Sequence, residues 1–366
     1  MKRENLTKGM IRRAAMMLLM MMLTTVTAWA DGLSGSGTAA NPYLISSAAD
    51  WTTFATAVTG GTTYENKIVK LTTDIGTAQD PITTMAGTST NRFKGTFMGD
   101  GHTLTVNYTA TANDCAPFLY IEGATIYTLK VTGTITTGYQ CAAGIAAHSY
   151  GDCTIHSCWS NVAITSTVNG DGTHAGFVAV QEDGSLRITS SLFDGSITGS
   201  NTIKCGGMVG WRKTTLVFTN CFQNGTLNLK ETNGSATFNR NGGSTFSNSY
   251  YKTAYGDVQG KQTDATGSPL QTQLGPSWEV SGDKVVPIMN LNHLGTATIS
   301  GVKEYYIRTG QEIKPEPVVT AVDGTVLTKT RTTPWHGAAT AGPTAHTPSS
   351  LRAKAVIPAP GKSVIS

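Results

Sequence analysis

Cysteine and histidine come closest together in the segment Cys153-Thr-Ile-His156-Ser-Cys158, with His148 a few residues upstream. Thiolate and imidazole groups are the usual protein ligands of Zn²⁺. Side chains alternate between the two faces of a strand, however, so Cys153 and His156 would point in opposite directions. No paired C-x2-C motif accompanies them. We therefore predict no metal-binding residues.

Carboxylates that face one groove could perform general acid–base chemistry, as in the polysaccharide lyases and hydrolases that are built on β-helices. Most of the acidic residues in the central region fall in apparent turns, where a solvated side chain is the ordinary expectation. No spacing recurs that places two carboxylates on one face of a strand. The charged residues considered are Asp152, Asp171, Glu182, Asp183, Arg187 and Asp194.

Other catalytic and cofactor motifs do not occur in the sequence. There is no G-x-S-x-G elbow, no H-E-x-x-H motif and no P-loop. The glycines of Gly170-Asp-Gly-Thr-His-Ala175 match the dinucleotide fingerprint, but no amphipathic helix follows them, so a turn is predicted. We predict a protein without catalytic residues, without cofactor-binding residues and without enzymatic activity.

The segments that carry these cysteine, histidine and acidic residues share a sequence pattern that repeats along the chain. Five of them share an apolar residue followed by a second apolar residue nine positions later. Their starts are separated by 29, 33, 30 and 28 residues. The five pairs are Ile126 and Ile135, Ile155 and Ile164, Ile188 and Ile197, Phe218 and Leu227, and Phe246 and Tyr255.

Two shorter motifs recur with the same period. A small polar pair precedes a larger side chain in Ser157-Cys158-Trp159, Ser190-Ser191-Leu192, Asn220-Cys221-Phe222 and Asn248-Ser249-Tyr250. A strand centred on glycine precedes three of the segments, in Ala143-Gly144-Ile145, Ala175-Gly176-Phe177 and Gly207-Met208-Val209.

A unit of about 30 residues built from short strands cannot bury its apolar residues alone and must stack on its neighbours. Helical repeats need long amphipathic stretches, which this region lacks, and propeller blades usually need about 40 residues. We predict an all-β fold, a right-handed parallel β-helix, in which equivalent strands lie about 4.8 Å apart. Each column of the repeat then becomes a ladder of like side chains.

The larger side chain of the polar-pair motif forms a column that has two interpretations. If it faces outward, its rings form a stripe on which sugars could stack; otherwise it packs within or near the core. The column contains Trp159, Leu192, Phe222 and Tyr250.

Six cysteines are present, and their spacing limits how they could pair. Cys115 and Cys141 lie 26 residues apart, about one turn, so they form either a disulfide or a pair of stacked thiols. Cys158 and Cys221 share a small, inward column but lie two turns apart, which is too far for a disulfide.

The composition favours strands and excludes nucleic acid as a partner. Glycine and threonine are abundant, only 14% of the 366 residues are charged, and both features disfavour a helical protein. Residues 31–323 hold 17 basic and 22 acidic side chains, which leaves no basic face for phosphate binding.

The N-terminus has the layout of a secretory signal peptide. Five basic residues lead into the apolar run from Ala14 to Leu23, and the small residues of Ala28-Trp29-Ala30 follow. The run is too short to span a bilayer, and no second apolar run of spanning length exists. We predict cleavage after Ala30, an extracellular or cell-surface location and no transmembrane segment.

The repeat, with Gly-(Met/Phe/Ile)-Val, Asn-(Cys/Ser)-(Tyr/Phe) and Gly-(Thr/Ser)-(Val/Ile) in succession, resembles the GLUG repeat of bacterial surface proteins. The segment from Gly35 to Phe54 resembles the opening coil of such solenoids, and Lys67–Ile75 and Phe93–Leu104 resemble the strands that follow. The resemblance covers about residues 33–295. It implies a β-helical region like those of adhesins and of some secreted immunoglobulin-cleaving peptidases, without the separate zinc domain of the latter.

These observations divide the chain into five parts. Residues 1–30 form the signal peptide, 31–110 the N-terminal capping coils, and 111–295 the GLUG-like β-helix with its closing coil. Residues 296–328 resemble the first strands of a bacterial immunoglobulin-like module, and residues 329–366 form a disordered tail. The prediction is a monomeric, non-enzymatic adhesion protein whose rigid face binds a glycan or an extracellular protein. A polysaccharide-degrading enzyme and a structural stalk are the alternatives.

Overall fold

The computed structural model describes residues 32–289 together with five short strands nearer the C-terminus. Two helices are present in these residues, α1 (Ala48–Thr59) and α2 (Gly267–Leu274). The strands are β1 (Tyr43–Ile45), β2 (Ile68–Leu71), β3 (Thr96–Met98), β4 (Thr103–Thr109), β5 (Phe118–Glu122), β6 (Thr125–Tyr127), β7 (Lys130–Thr137), β8 (Ala146–Tyr150), β9 (Cys153–His156), β10 (Trp159–Ser166), β11 (Gly170–Asp171), β12 (Val178–Gln181), β13 (Ser185–Thr189), β14 (Leu192–Phe193), β15 (Ser196–Gly199), β16 (Thr202–Ile203), β17 (Val209–Arg212), β18 (Thr215–Thr219), β19 (Phe222–Gln223), β20 (Thr226–Leu229), β21 (Thr245–Ser247), β22 (Tyr250–Tyr251), β23 (Lys261–Gln262), β24 (Trp278–Ser281), β25 (Lys284–Pro287), β26 (Thr298–Ser300), β27 (Val318–Thr320), β28 (Val326–Leu327), β29 (Ala355–Val356) and β30 (Val364–Ile365).

The predicted parallel β-solenoid is confirmed, with about seven turns. Its strands form three main parallel sheets along the axis. Sheet A contains β1, β2, β3, β6, β9, β13, β18 and β21 in that order. Sheet B contains nine strands between β4 and β23, and sheet C contains β5, β8, β12 and β17. In the described residues, no helix is long and apolar enough to cross a membrane.

The predicted ladders lie in register. In sheet A, Ile126 pairs with Ile155, which pairs with Ile188, and the ladder continues through Phe218 to Phe246. Stacking like side chains on one another gives each turn the same cross-section, so the interior is filled without changing the register.

The second apolar column behaves in the same way for four turns. It runs through Ile135, Ile164, Ile197 and Leu227 in sheet B. The prediction was wrong for Tyr255, which belongs to no strand. Its hydroxyl accepts a hydrogen bond from the backbone N–H of Leu229 at 3.2 Å, so the ring lies at the end of the ladder.

The polar-pair motif forms a corner between sheets A and B. Its first residue has a left-handed backbone, with φ from 47° to 53° at Ser157, Ser190, Asn220 and Asn248. Asparagine adopts this conformation more readily than most residues. The second residue points inward, and Cys158, Ser191, Cys221 and Ser249 are all buried, as predicted.

Helix α1 closes the N-terminal end of the core. Ser47 accepts a hydrogen bond from the Asp50 N–H at 3.1 Å, and the Asp50 carboxylate accepts from the Ser46 N–H at 2.9 Å, so the first turn is capped. The buried face of the helix carries Trp51 and Phe54, which pack edge-on against aromatic rings of the first turns. The segment that resembles an opening coil therefore contains a helix.

The region predicted to be a closing coil is a helix followed by an antiparallel hairpin. Helix α2 and the hairpin of β24 and β25 lie on the outer side of sheet B. They cover the column of Trp159, Leu192, Phe222 and Tyr250, which are partners in one ladder and face outward. We call this surface the covered face.

Trp278 is the centre of this contact. It is fully buried, its ring lies 6.4 Å from that of Phe222, and its indole N–H donates to the Asn220 carbonyl at 3.0 Å. The side chains that pack with it are Leu270, Leu274, Val285 and Val286. The aromatic column therefore serves packing, which was one of its two interpretations.

All six cysteines lie among the described residues and are free. Cys115 and Cys141 lie on neighbouring turns, and the Cys115 N–H donates to the Cys141 carbonyl at 3.2 Å. Cys115 points into the main core, whereas Cys141 packs against a separate cluster of alanines on the outside. The structure therefore contains two free thiols that point to opposite sides of the wall, and the predicted stacking of the two thiols was wrong.

Several sequence predictions concern parts of the chain outside the described residues. The signal peptide falls in residues 1–30, none of which is described. In the proposed immunoglobulin-like segment, 296–328, the structure gives only β26, β27 and β28, which pair in an antiparallel sheet, and the module itself is not confirmed. In the proposed disordered tail, it gives only the antiparallel pair of β29 and β30.

Candidate functional site

Sheet C carries an outward ladder over which, among the described residues, no helix or hairpin packs. Tyr120 pairs with His148, His148 with Val180, and Val180 with Trp211. Each of the last three residues comes four positions after a glycine of the repeat, at Gly144, Gly176 and Gly207. A Cβ atom at Gly176 would lie 2.6 Å from the Gly207 carbonyl oxygen, so this close stacking requires glycine.

A corner of the solenoid lies beside this ladder. Asp114, Cys141, Thr173 and Lys204 occupy equivalent positions on successive turns, and all four have a left-handed backbone, with φ of 71°, 66°, 48° and 59°. The bridges that follow them connect Cys115 to Ala142 and Ala175 to Gly206. The sharp corner turns these side chains toward the outward ladder of sheet C.

The corner and the ladder border an open cleft of about 550 Å³. We call this surface the open face. Aromatic, acidic and basic side chains all contribute to the cleft. Its lining includes Cys141, Asp171, Thr173, Val180, Glu182, Lys204, Trp211, Lys213, Arg240 and Asp257.

A histidine bridges two carboxylates at one end of the cleft. His148 Nε2 lies 2.8 Å from Asp114 Oδ1, and His148 Nδ1 lies 2.9 Å from Glu182 Oε1. The side chains of His148 and Asp114 are only 12% and 19% exposed. Lys213 donates to the other oxygen of Glu182. The network thus runs through Asp114, His148, Glu182 and Lys213 across four turns.

Tyr120 fixes the position of this network. Its ring stacks on that of His148 with centroids 4.8 Å apart and planes 9° apart, and its hydroxyl donates to Asp114. Burial alone would raise the pKa of Asp114, but the hydrogen bonds from His148 and Tyr120 outweigh it and lower the pKa. The hydrogen bond to Glu182 raises the pKa of Lys213. Asp114 is therefore held as a carboxylate.

Cys141 lies next to this network but is not activated as a nucleophile. Burial and the carboxylates of Asp114, Asp171 and Glu182 raise the pKa of its thiol to about 12. A reactive cysteine needs a lowered pKa, because the thiolate is the attacking species. The arrangement therefore does not support cysteine-based catalysis by the protein alone.

Arg240 organises the other end of the cleft. Its guanidinium binds both oxygens of Asp171, at 3.0 and 3.1 Å, and also donates to the Thr173 hydroxyl at 3.0 Å. The same group lies over the ring of Trp211, 4.8 Å from its centroid. The Arg240 side chain is only 6% exposed. This ion pair holds the half-buried indole at the wall of the cleft.

Of the six charged residues considered from the sequence, the structure brings two into the cleft, Asp171 and Glu182. Asp152 and Asp183 are exposed and accept hydrogen bonds from neighbouring turns, as expected of turn residues. Asp194 lies on the covered face and pairs with Lys284 at 2.7 Å, and Arg187 is exposed on sheet A.

The cysteine and histidine segment does not converge. Cys153 and Cys158 are buried in the main core, and His148 belongs to the open face instead. Sequence reasoning did not find Asp114, Tyr120, Trp211 or Arg240 as site residues. The spacing of four residues from the repeat glycines was the available signal for the ladder, since it marks the outward position on each strand.

Comparison with known proteins supports the fold and not the family. No family model matches the chain, and no curated protein matches it either. The GLUG resemblance therefore stays a prediction. Among solved structures, the chain is similar to the crystal structure of a putative immunoglobulin A1 protease from Bacteroides ovatus, with a TM-score of 0.51 and 14% identity. The match covers 70% of this chain and 95% of that one, and at this identity the likeness is one of fold alone.

Proposed function

We propose that the protein is an extracellular, non-enzymatic binding protein whose open face holds a glycan in the cleft along sheet C. This proposal depends on a difference between the two outward aromatic ladders. The ladder of sheet B is covered by α2 and the β24–β25 hairpin, whereas the ladder of sheet C borders a cleft. Its volume of about 550 Å³ is in the range of ligand sites.

The side chains of the cleft suit a sugar. Trp211 offers a half-buried ring, one face of which Arg240 covers, and sugars present apolar C–H faces that pack on the exposed part of such rings. Lys204, Asp257 and Lys213 are exposed at the edge and supply hydrogen-bonding groups of both signs. A mixed lining of this kind fits a polar ligand with many hydroxyls better than a strongly charged polymer.

The second candidate function is polysaccharide cleavage, because Asp171 and Glu182 line the same cleft. Both oxygens of each carboxylate already bind side chains of the chain itself, Asp171 to Arg240 and Glu182 to His148 and Lys213. Acid–base catalysis requires a carboxyl group that reaches the substrate. The existing ion pairs therefore favour binding over catalysis.

The test is a glycan and extracellular-protein array probed with the full chain, with immunoglobulin A1 included because of the name of the structural neighbour. We expect binding to a glycan class, reduced at least about tenfold in Trp211→Ala. Tyr43→Ala is the matched control, because Tyr43 is also half-buried but lies in β1 at the N-terminal end of sheet A, and this variant should bind normally.

Two results would contradict the proposal. If the Trp211→Ala variant binds as well as the unmodified protein, the ligand binds elsewhere. Release of new reducing ends from a polysaccharide panel, abolished in Asp171→Asn or Glu182→Gln, would show the enzyme instead.

A further inference from the structure

The strongest unassigned feature is a group of three different metal-ligating side chains at one end of the cleft. One ligand atom each from Asp114, Cys141 and His148 lies within 4.8 Å of the other two. All three residues are partly buried. Asp114 and Cys141 come from successive positions of the left-handed corner, and His148 comes from the adjacent strand β8.

We propose that Asp114, Cys141 and His148 bind one borderline-soft divalent transition-metal ion of the Zn²⁺ class. A thiolate, an imidazole and a carboxylate form a ligand set that such ions accept, whereas Ca²⁺ and Mg²⁺ take oxygen ligands. The two anionic ligands balance the charge of the ion, which displaces the protons of the Cys141 thiol and of His148 Nε2 when it binds. This claim goes beyond the proposed function, since a glycan could bind the cleft without it.

The spacing of the ligands requires only a small adjustment. Two tetrahedral ligands of zinc stand about 3.3–3.6 Å apart, from metal–ligand distances of about 2.0–2.3 Å. His148 Nε2 and Asp114 Oδ1 are 2.8 Å apart, and all three atoms lie within 4.8 Å. An ion between them would push the first pair apart by about half an ångström.

The surrounding groups already hold the ligands as partners of a metal centre do. Glu182 accepts from His148 at Nδ1, which directs Nε2 toward the other two ligands. Tyr120 donates to the second oxygen of Asp114. Lys213 in turn binds Glu182. These outer contacts fix the orientation of the imidazole and the carboxylate before an ion arrives.

The three ligands occur together at one place along the repeat and not at the equivalent positions of the next two turns. The equivalent corner positions on the next two turns are Thr173 and Lys204, which do not ligate zinc. Another histidine–aspartate pair, His102 and Asp74, is separated by 3.5 Å, and the described residues place no cysteine with it. Since Cys141 also lines the cleft, the three-ligand site has an open side that a water or a ligand of the cleft could occupy.

The experiment titrates the full, reduced and chelator-treated chain with Co²⁺ and records the near-ultraviolet thiolate-to-cobalt charge-transfer absorption. We expect one ion per chain, displaced by Zn²⁺, and loss of the band in Cys141→Ser. His148→Gln should lower affinity more than about 100-fold, and Glu182→Gln, which changes only an outer contact, by about 10- to 100-fold.

Two matched controls separate ligand loss from a damaged fold. Cys221→Ser should keep the band, because serine already occupies the same buried column at Ser191 and Ser249. His102→Gln removes a histidine that also faces an aspartate and should keep it too. Circular dichroism of each variant reports folding.

A measurement on the unmodified protein keeps the test valid if the variants misfold. X-ray absorption of the Zn²⁺-loaded protein should show one sulfur ligand at about 2.3 Å from the metal. The proposal is overturned if the unmodified protein shows no charge-transfer band, if the band survives in Cys141→Ser, or if the zinc spectrum contains no sulfur ligand. These results are independent of the glycan array, so either proposal can fail alone.

Discussion

The covered face and the open face are built in the same way but have different surroundings. Each is an outward ladder that follows a left-handed corner, with the corner residues at Ser157 and Ser190 in one case and at Asp114 and Cys141 in the other. On the covered face, the chain returns along the solenoid and seals the ladder with Trp278. On the open face, polar partners such as His148 and Arg240 surround the aromatic rings.

This difference shows that an outward aromatic column in a β-solenoid is not by itself a binding stripe. The covered column contains rings at Trp159, Phe222 and Tyr250, yet its energetic role is packing. The open column contains Tyr120 and Trp211, and its rings are held in place by hydrogen bonds and ion pairs. Charged partners do not mark the difference either, because Lys130 and Lys284 lie over the Trp159 ring on the covered face. What decides whether such a column is available to a ligand is whether a later segment of the chain covers it.

The largest expected effect compares one tryptophan from each face. Trp278→Ala should destabilise the protein by about 3–5 kcal/mol, because it removes a fully buried indole and leaves a cavity. Trp211→Ala should cost no more than about 2 kcal/mol, since this ring is half-buried and water can fill its place. Urea denaturation of both variants measures the difference.

The comparison would break if Trp211→Ala were as destabilising as Trp278→Ala, since the open face would then be structural as well. A loss of less than about 1 kcal/mol in Trp278→Ala would show that α2 and the hairpin are loosely held.

The second prediction concerns a buried histidine beneath the open face. His174 Nδ1 accepts from the Ala142 N–H at 3.2 Å, and Nε2 lies 2.8 Å from the Ser166 hydroxyl, an arrangement that requires a neutral ring. Burial lowers the pKa of His174 from 6.5 to about 4. Stability from the neutral ring is therefore present above about pH 6.5 and lost as pH falls toward 4.

Between pH 7 and pH 4.5, this group should remove about 2–3 kcal/mol from the free energy of unfolding. His174→Gln keeps an acceptor and a donor without a charge change and should show a correspondingly flatter pH dependence in urea denaturation. His102→Gln is the control, because His102 is partly exposed, and should retain the slope of the unmodified protein. An unchanged slope in His174→Gln would assign the acid sensitivity to other groups.

Much of the fold could be predicted from the sequence because equivalent residues on successive turns of the solenoid have the same surroundings. Each turn stacks like on like, so the ladder from Ile126 to Phe246 and the buried column at Cys158 and Cys221 follow from spacing alone. Where the environment stops repeating, the prediction fails. Tyr255 lies beyond the last strand of its ladder and was misplaced for this reason.

The sequence analysis did not predict helix α1, for a different reason. Trp51, Phe54 and Val58 have the spacing of one helical face, and Ser47 and Asp50 supply an N-terminal cap, whereas the resemblance of this segment pointed to an opening coil. In the same way, the sequence showed that the Trp159 column was large and regular, but not whether a later segment would cover it.

The open face was the least predictable part, because its groups come from different turns. Asp114 and His148 are 34 residues apart, as are His148 and Glu182, so no local motif contains the network. Arg240 reaches Asp171 across 69 residues. Spacing gives the register of the turns, but locating such a site also requires the side-chain direction at each corner, which only the structure provides.

The smallest expected effect compares an ion pair from each face. Arg240→Met leaves Asp171 with two lost hydrogen bonds at a cleft wall and should cost about 1–3 kcal/mol. Lys284→Met on the covered face should cost about 1 kcal/mol or less, because Lys284 is 48% exposed and Asp194, although its side chain is only 8% exposed, keeps its hydrogen bond from Asn224. Thermal and urea unfolding at low and high salt measure both losses.

The bidentate pair of Arg240 should also respond less to salt, since it is shielded from water, whereas the Lys284 contribution should vanish at high salt. Equal costs in the two variants would mean that Arg240 holds no more structure than a surface lysine, and that the wall of the cleft at Trp211 depends on packing instead.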